Sequence, residues 1–205
     1  MSQTIANRFV RVFNKNIHLQ EAGTPEKPVI LFLHGASFSS QTWRELGSLL
    51  FFAERGYRSI AVDLPGYGLS QRLFGRRDNF LEQFLEAANI SHPVLVSPSM
   101  SGNYSLPFLV EHPDKLRGYI PVAPVGISQF RKRLEGIEVP TLAIWGDDDR
   151  ILSVSQAEIF LDRMANAQKV VLKKAGHACY MKATEAFHQA IWQFLEELPE
   201  SGDRT

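Results

Sequence analysis

The stretch from Val94 to Gly102, V-L-V-S-P-S-M-S-G, constrains this chain more than any other. Val94, Leu95 and Val96 are uncharged β-formers, the composition of a strand buried on both faces. Ser97-Pro98-Ser99-Met100-Ser101-Gly102 follows, and then a helical pattern begins. A strand, a tight turn with serine at its apex and a helix make the layout of a nucleophile elbow. Strand and helix backbones pass close together at such a turn, so the neighbours of the apex have little room. Ser97, Ser101 and Gly102 are small enough. The usual form is G-x-S-x-G, and both of its glycines are serines here. The same residues could also make a serine-rich turn that merely caps a helix.

Composition narrows the setting. A chain of 205 residues suffices for one α/β domain with a real core, and no linker, repeat or low-complexity tract divides it. A single domain over 1–205 is expected, with 1–7 and 199–205 frayed. Lys plus Arg and Asp plus Glu balance at 22 each, which leaves no electrostatic footprint for nucleic acid or an anionic membrane. No apolar run approaches the roughly 18 residues of a membrane span. The polar stretch Met1–Asn7 has no apolar signal core. Cys179 has no partner for an intrachain disulfide, which fits a reducing compartment. These features together predict a cytoplasmic protein, most simply a monomer.

In chain order, Phe9–Phe13 and Ile17–Leu19 read as two short strands joined by a turn at Asn14-Lys15-Asn16. Val29–Leu33 is a buried strand running into His34-Gly35-Ala36-Ser37. His34 is read as a satisfied histidine under that loop rather than as a chemical group. Trp43, Leu46, Leu49, Leu50 and Ala53 mark one helix capped by Ser39 or Ser40 and ended by Gly56. The strand Arg58–Val62 leads into Asp63-Leu64-Pro65-Gly66-Tyr67-Gly68-Leu69-Ser70. That loop lacks both a Lys-Ser/Thr pair and G-x-G-x-x-G, so it reads as a tight loop beside the site and not as a phosphate loop.

Phe80–Ala88 is an amphipathic helix closed by Asn89. Asn103–Glu111 continues the helix after Ser99, with Pro107 expected to kink or shorten it. Strands are expected at Gly118–Ala123, Thr141–Trp145 and Val170–Leu172, with a short helix around Phe130–Leu134 and a capping box at Ser153 and Gln156. Ala183 to Leu198 carries the clearest helical stripe, with His188 beside it in a structural role. Strands alternating with helices predict an α/β fold whose mostly parallel sheet is covered on both faces.

Three strand ends carry chemistry. A serine hydroxyl is a weak nucleophile near neutral pH and needs a base in contact, itself oriented by a carboxylate. Ser99, the run Asp147-Asp148-Asp149 and His177 each follow an expected parallel strand, which puts them on the sheet edge where ligands bind. Their order is serine, acid, histidine. No metal site is expected, since the histidines form no H-E-x-x-H and one cysteine builds no zinc cluster.

With H-G at 34–35, D-L-P-G-Y-G-L-S at 63–70, the elbow, G-D-D-D at 146–149 and G-H at 176–177, the chain resembles the α/β-hydrolase superfamily over nearly its full length. The S-P-S-M-S-G elbow, N-Y-S-L-P-F-L at 103–109 and A-G-H-A-C-Y at 175–180 resemble, more narrowly, the small abhydrolase-domain-14 group. The resemblance implies a compact serine hydrolase acting on short acyl esters or acyl-amides. It points to Asp149, third after Gly146, as the acid beside Ser99 and His177. It also implies an oxyanion hole made by the N–H groups of Ala36 and Met100. One branch of the group is linked to lysine deacetylation with coenzyme A as acceptor, and to a protein partner.

The second enzymatic reading is therefore acyl transfer to a thiol such as coenzyme A, with no other cofactor expected. A third is a non-catalytic interaction module on a hydrolase scaffold. Only fifteen residues, Val125 to Val139, separate two of the expected strands, too few for a cap domain. A shallow cleft bordered by Phe38, Tyr67 and Phe130 is expected, open to an acyl ester or an acylated peptide. The loop Ser70–Asn79 is the other segment long enough to fold over it.

Overall fold

The computed structural model describes residues 4–74 and 79–199. Among the described residues eight strands form one sheet: β1 (Ala6–Val12), β2 (Lys15–Ala22), β3 (Val29–Phe32), β4 (Arg58–Val62), β5 (Val94–Pro98), β6 (Gly118–Val122), β7 (Thr141–Gly146) and β8 (Ala167–Leu172). The α-helices of the described residues are α1 (Ser40–Glu45), α2 (Ser48–Ala53), α3 (Phe80–Ala88), α4 (Gly102–Glu111), α5 (Ile127–Phe130), α6 (Glu158–Arg163), α7 (Cys179–Lys182) and α8 (Thr184–Glu197).

Alternation along the strands explains the two-sided core. Leu31, Leu95, Ala143 and Trp145 face one hydrophobic layer, which holds the apolar faces of α3, α4 and α6. Ile30, Phe32, Val94, Val96, Leu142 and Ile144 face the other, which takes Trp43, Leu49, Phe52 and the α8 stripe Phe187, Ile191, Phe194 and Leu195. Successive side chains on a strand point to opposite faces. A strand apolar at every position must therefore be covered on both sides.

The strand order is β1-β2-β4-β3-β5-β6-β7-β8. β1 and β2 are antiparallel, β2 meets β4 antiparallel, and the ladders from β4 to β8 are all parallel. From β3 the chain steps one way to β4, and then crosses back to β5 on the other side. This reversal leaves a crevice at the carboxyl ends of β3 and β5, the place where open α/β sheets bind ligands. Ser99 and the His34–Ala36 loop emerge on its two sides.

Several expectations need correction. The hairpin turn lies at Phe13-Asn14, with φ of 48° and 61°, and not at Asn14–Asn16; Lys15 and Asn16 already pair in β2. Positive φ at both central residues gives the turn whose twist matches the flanking strands. Ala6 and Asn7, expected to fray, pair with Glu21 and Gln20. Residues 1–3 and 200–205 of the expected frayed ends, and 75–78 of the long loop, lie outside the described residues. The single helix expected around Trp43–Ala53 is two, α1 and α2, broken at Gly47 with φ of 72°. α4 continues past Pro107 and ends at Glu111, where the sequence places its end. The short helix expected at Phe130–Leu134 is instead the one-turn α5, ending at Phe130. It begins earlier because Gly126, at φ of 91°, turns the chain there.

Candidate active site

The elbow forms as expected, and its geometry is sharper than the sequence implies. Ser99 has φ of 49°, in the left-handed region that non-glycine residues rarely adopt. Strain of this kind costs on the order of 1–3 kcal/mol and persists only where the surroundings over-determine it. One constraint is the Val125 N–H, which donates to the Ser99 carbonyl at 2.9 Å. That close approach is why position 102 is glycine. A Cβ there would lie 2.5 Å from the Val125 carbonyl oxygen.

The three side chains meet. His177 Nε2 lies 2.8 Å from Ser99 Oγ, and His177 Nδ1 lies 2.8 Å from Asp149 Oδ2. A carboxylate only accepts, so Nδ1 carries the proton and Nε2 presents its lone pair to the serine hydroxyl. The Asp149 side chain is wholly buried, whereas His177 keeps 17% of its side-chain surface exposed. The other carboxylate oxygen, Oδ1, accepts from the N–H groups of Ile151 and Leu152, each at 2.9 Å. Both acid oxygens are thus committed, and the carboxylate cannot swing.

The neighbouring aspartates do other work. Asp147 Oδ1 accepts from the Ala175 N–H at 3.2 Å, tying the acid loop to the histidine loop. Asp148 is exposed and pairs with Arg150 at 3.0 Å. Only Asp149 reaches the imidazole. The end of β7 and the histidine loop are in backbone contact, since a Cβ on Gly146 would lie 2.2 Å from the Ala175 carbonyl oxygen.

On the other side of the crevice, His34 is buried and neutral in character, its pKa lowered mainly by burial. Its Nδ1–H donates to the Gly35 carbonyl at 2.8 Å, and its Nε2 accepts from the Leu64 N–H at 2.9 Å. It therefore ties the Ala36 loop to the 63–70 loop, in agreement with a structural role. The 63–70 loop is itself clamped by buried Asp63. That carboxylate accepts from the N–H groups of Leu69 and Ser40, and lies 2.8 Å from His18 Nδ1. Burial alone would raise the Asp63 pKa; these donors outweigh it and lower it.

A family model described as the alpha/beta hydrolase fold matches residues 28–130. Protein ABHD14A of Mus musculus is 38% identical over 196 residues, covering 92% of this chain and 78% of that protein. The chain belongs to the α/β-hydrolase family, in its ABHD14 group. ABHD14B of Rattus norvegicus, whose name proposes protein-lysine deacylation, is 36% identical over 201 residues and covers 92% of this chain and 95% of its own. A predicted CIB-like hydrolase from Thermoplasma acidophilum superposes with a TM-score of 0.91 at 23% identity, covering 96% of this chain and all of that one. The protein is accordingly a hydrolase.

In this hydrolase each expected border residue has a defined set of neighbours. Phe38 is half-buried against Gly35 and meets Tyr180 edge-on at 6.3 Å between ring centres. Tyr67 meets His34 edge-on at 5.1 Å. Both therefore flank the loop that carries Ala36, which is exposed. Phe130 is half-buried and, like Tyr67 and Met100, packs against the layer containing Tyr104, Ile127 and Leu134. From that segment it is Val125 that reaches the elbow. Cys179 is packing, as expected: burial, with a smaller contribution from Asp149, pushes its thiol up to about 12. His188 is structural too, buried with Nε2 2.8 Å from Ser48 Oγ and stacked on Phe51. Among the described residues no helix is long and apolar enough to cross a membrane.

Sequence reasoning passed over Val125, Ser105 and Tyr119. Nothing in an apolar strand marks one tyrosine as a partner of the elbow. Ser105, however, lies eight residues after Ser97 and could have been flagged as a second small polar residue facing the strand.

Proposed function

We propose that this hydrolase cleaves short acyl esters or acyl-amides through a covalent acyl-enzyme on Ser99. The observation that carries this reading is the pair of 2.8 Å contacts that puts His177 between Ser99 Oγ and Asp149 Oδ2. In the first half-reaction His177 Nε2 takes the hydroxyl proton as Oγ attacks the acyl carbon, and then hands it to the leaving alcohol or amine. Asp149 holds the imidazole tautomer and balances the imidazolium. The N–H groups of Met100 and Ala36 face the oxyanion, where losing one donor typically costs about 10²–10³ in rate. Water, activated by the same histidine, releases the acid. The residues supply every proton transfer, so the reading needs no metal or bound cofactor.

Two features support a short acyl group. Between β6 and β7 the chain offers only the single turn of α5, too little to roof the crevice. Each buried CH₂ contributes about 0.8 kcal/mol, so a cleft that covers few carbons gains little from longer chains. Openness also suits an acyl group carried on a peptide lysine, the substrate class that the ABHD14B name proposes for that relative. Acyl transfer to a thiol such as coenzyme A shares the first half-reaction.

Labelling by a serine-directed phosphonate, with Ser99→Ala as control, tests the reading directly. Wild type that resists labelling, or Ser99→Ala that still labels, refutes it and favours an interaction module. Mass analysis of products from acetylated peptides, with and without coenzyme A, separates hydrolysis from transfer.

A further inference from the structure

A buried chain of hydroxyls runs behind the elbow. Tyr119 OH lies 2.8 Å from Ser105 Oγ, Ser105 Oγ lies 2.6 Å from Ser97 Oγ, and Ser97 Oγ lies 3.0 Å from Ser101 Oγ. Ser101 Oγ in turn donates to the Pro98 carbonyl at 2.8 Å. All four hydroxyl-bearing residues are fully buried. The direction of the chain is fixed by its end. A carbonyl oxygen only accepts, and a hydroxyl has one proton. Ser101 spends its proton on Pro98, so Ser97 donates to Ser101, Ser105 donates to Ser97, and Tyr119 donates to Ser105. Each link therefore settles the rotor of the next.

The carbonyl at the end matters because of what adjoins it. The two peptide planes flanking a residue define its φ and ψ. For Ser99 the following plane is pinned by the Val125 N–H on the Ser99 carbonyl, at 2.9 Å. The preceding plane is pinned by the Ser101 hydroxyl on the Pro98 carbonyl. With both planes held, the left-handed conformation of Ser99 is over-determined, as its strain requires.

We infer that Ser101, Ser97, Ser105 and Tyr119 are positioning residues for the nucleophile, a directed hydroxyl chain that holds the Ser99 backbone in its strained conformation. This rests on the serine-hydrolase reading above and goes beyond it. The serines at 97 and 101 are then more than small residues tolerated in a tight turn. The Ser101 hydroxyl does the holding and the Ser97 hydroxyl orients it, so glycine at 101 removes the hold and glycine at 97 loosens it. Freed of the Pro98 pin, Ser99 spends part of its time relaxed, and the observed turnover falls with the fraction of molecules still poised. Substrate contacts are untouched, so KM holds.

The test is a series: Ser101→Gly, Ser101→Ala, Ser97→Ala, Ser105→Ala and Tyr119→Phe. Each is measured for kcat and KM on a short acyl ester, for phosphonate labelling rate and for Tm. The expected result is a gradient in kcat and labelling rate at constant KM. Losses are about tenfold at Ser101, which touches the carbonyl, and fall to less than about twofold at Tyr119→Phe, which leaves the last three links directed. Loss of packing alone would instead lower Tm without ordering the rates along the chain. Ser101→Gly that folds and labels like wild type overturns the inference, because size alone would then suffice. Equal rate losses along the chain that track Tm overturn it as well. If Ser101→Gly fails to fold, Ser101→Ala carries the same comparison. Wild type that neither labels nor turns over refutes the serine-hydrolase reading instead. The inference is then read from crystal structures, where Ser99 relaxing from positive φ in Ser101→Ala supports it and an unchanged φ overturns it.

Discussion

Replacing Gly102 by alanine adds a single methyl carbon, and the structure says where it lands. The new Cβ would sit 2.5 Å from the Val125 carbonyl oxygen and 3.0 Å from both the Val125 nitrogen and the Pro124 Cβ. Ordinary contact begins near 3.4 Å, so the Val125 backbone has to retreat by ~0.9 Å. Hydrogen bonds of this type span only about 2.7–3.2 Å. The required retreat exceeds that whole range, so the 2.9 Å bond from the Val125 N–H to the Ser99 carbonyl does not survive in its present form. That bond fixes the Ser99–Met100 peptide plane, and the Met100 N–H on the same plane is the proposed oxyanion donor. Its misalignment should lower kcat by about 10²–10³, the usual cost of one lost donor, while overpacking costs about 1–3 kcal/mol of stability. Steady-state kinetics on p-nitrophenyl acetate and a thermal melt measure the two separately. A Gly102→Ala protein that keeps wild-type kcat would refute the argument, whatever its Tm, because it would show that the elbow does not depend on Val125.

Further outcomes are expected from the same geometry. Ser99→Ala and His177→Ala should lose ester turnover to a similar extent, since members of such a unit act together, and circular dichroism should show both folded. Asp149→Asn should cost on the order of 10⁴ in kcat, whereas Asp147→Asn and Asp148→Asn stay within roughly tenfold, a contrast that one kinetic comparison decides. Along p-nitrophenyl esters from acetate to laurate, kcat/KM should stop rising after a few carbons; a steady rise to twelve would mean a deep acyl tunnel. His188 is buried, and burial first, then Arg55, lowers its pKa from 6.5 to about 4. Between those values the unfolded chain binds more protons, so stability present above pH 6.5 is lost as pH falls toward 4, by up to about 3 kcal/mol. His188→Gln should flatten that acid limb in Tm measurements between pH 7 and 4, and superimposable limbs would count against it.

The sequence was most informative where backbone chemistry and side-chain chemistry coincide. Val94–Gly102 shows strand, turn and helix, and the order of Ser99, Asp149 and His177 along the chain suffices to bring them together once the strands are parallel. The choice among three adjacent aspartates was harder, because local spacing cannot say which carboxylate vector meets an imidazole 28 residues away. The structure separates them by partners: Ala175 N–H for Asp147, Arg150 for Asp148, His177 for Asp149. Local signals misled where a backbone conformation outweighed an apolar stripe. Leu46 and Leu49 share a helical spacing, yet left-handed Gly47 splits the helix between them. The turn at Gly126 was not legible either; it starts α5 early, leaving Phe130 half-buried against the core layer and Val125 at the elbow. The role of Tyr119 was illegible for another reason: its partners Ser105 and Ser97 lie on different elements, and only packing brings them together.

The position of β8 at the edge of the sheet has a consequence for how the enzyme fails. β8 is held on one side only, by β7, and four of its residues are half-buried where those of β7 are fully buried. It also delivers His177. Proteins open locally in units far less stable than the whole, and an edge strand is a natural unit. When β8 lifts away, His177 leaves with it, while Ser99 stays in its elbow and Asp149 in its loop on the remaining strands. Activity and fold therefore answer to two different free energies. The enzyme should fall silent in mild urea before its secondary structure melts, and regain activity on dilution without having to fold anew.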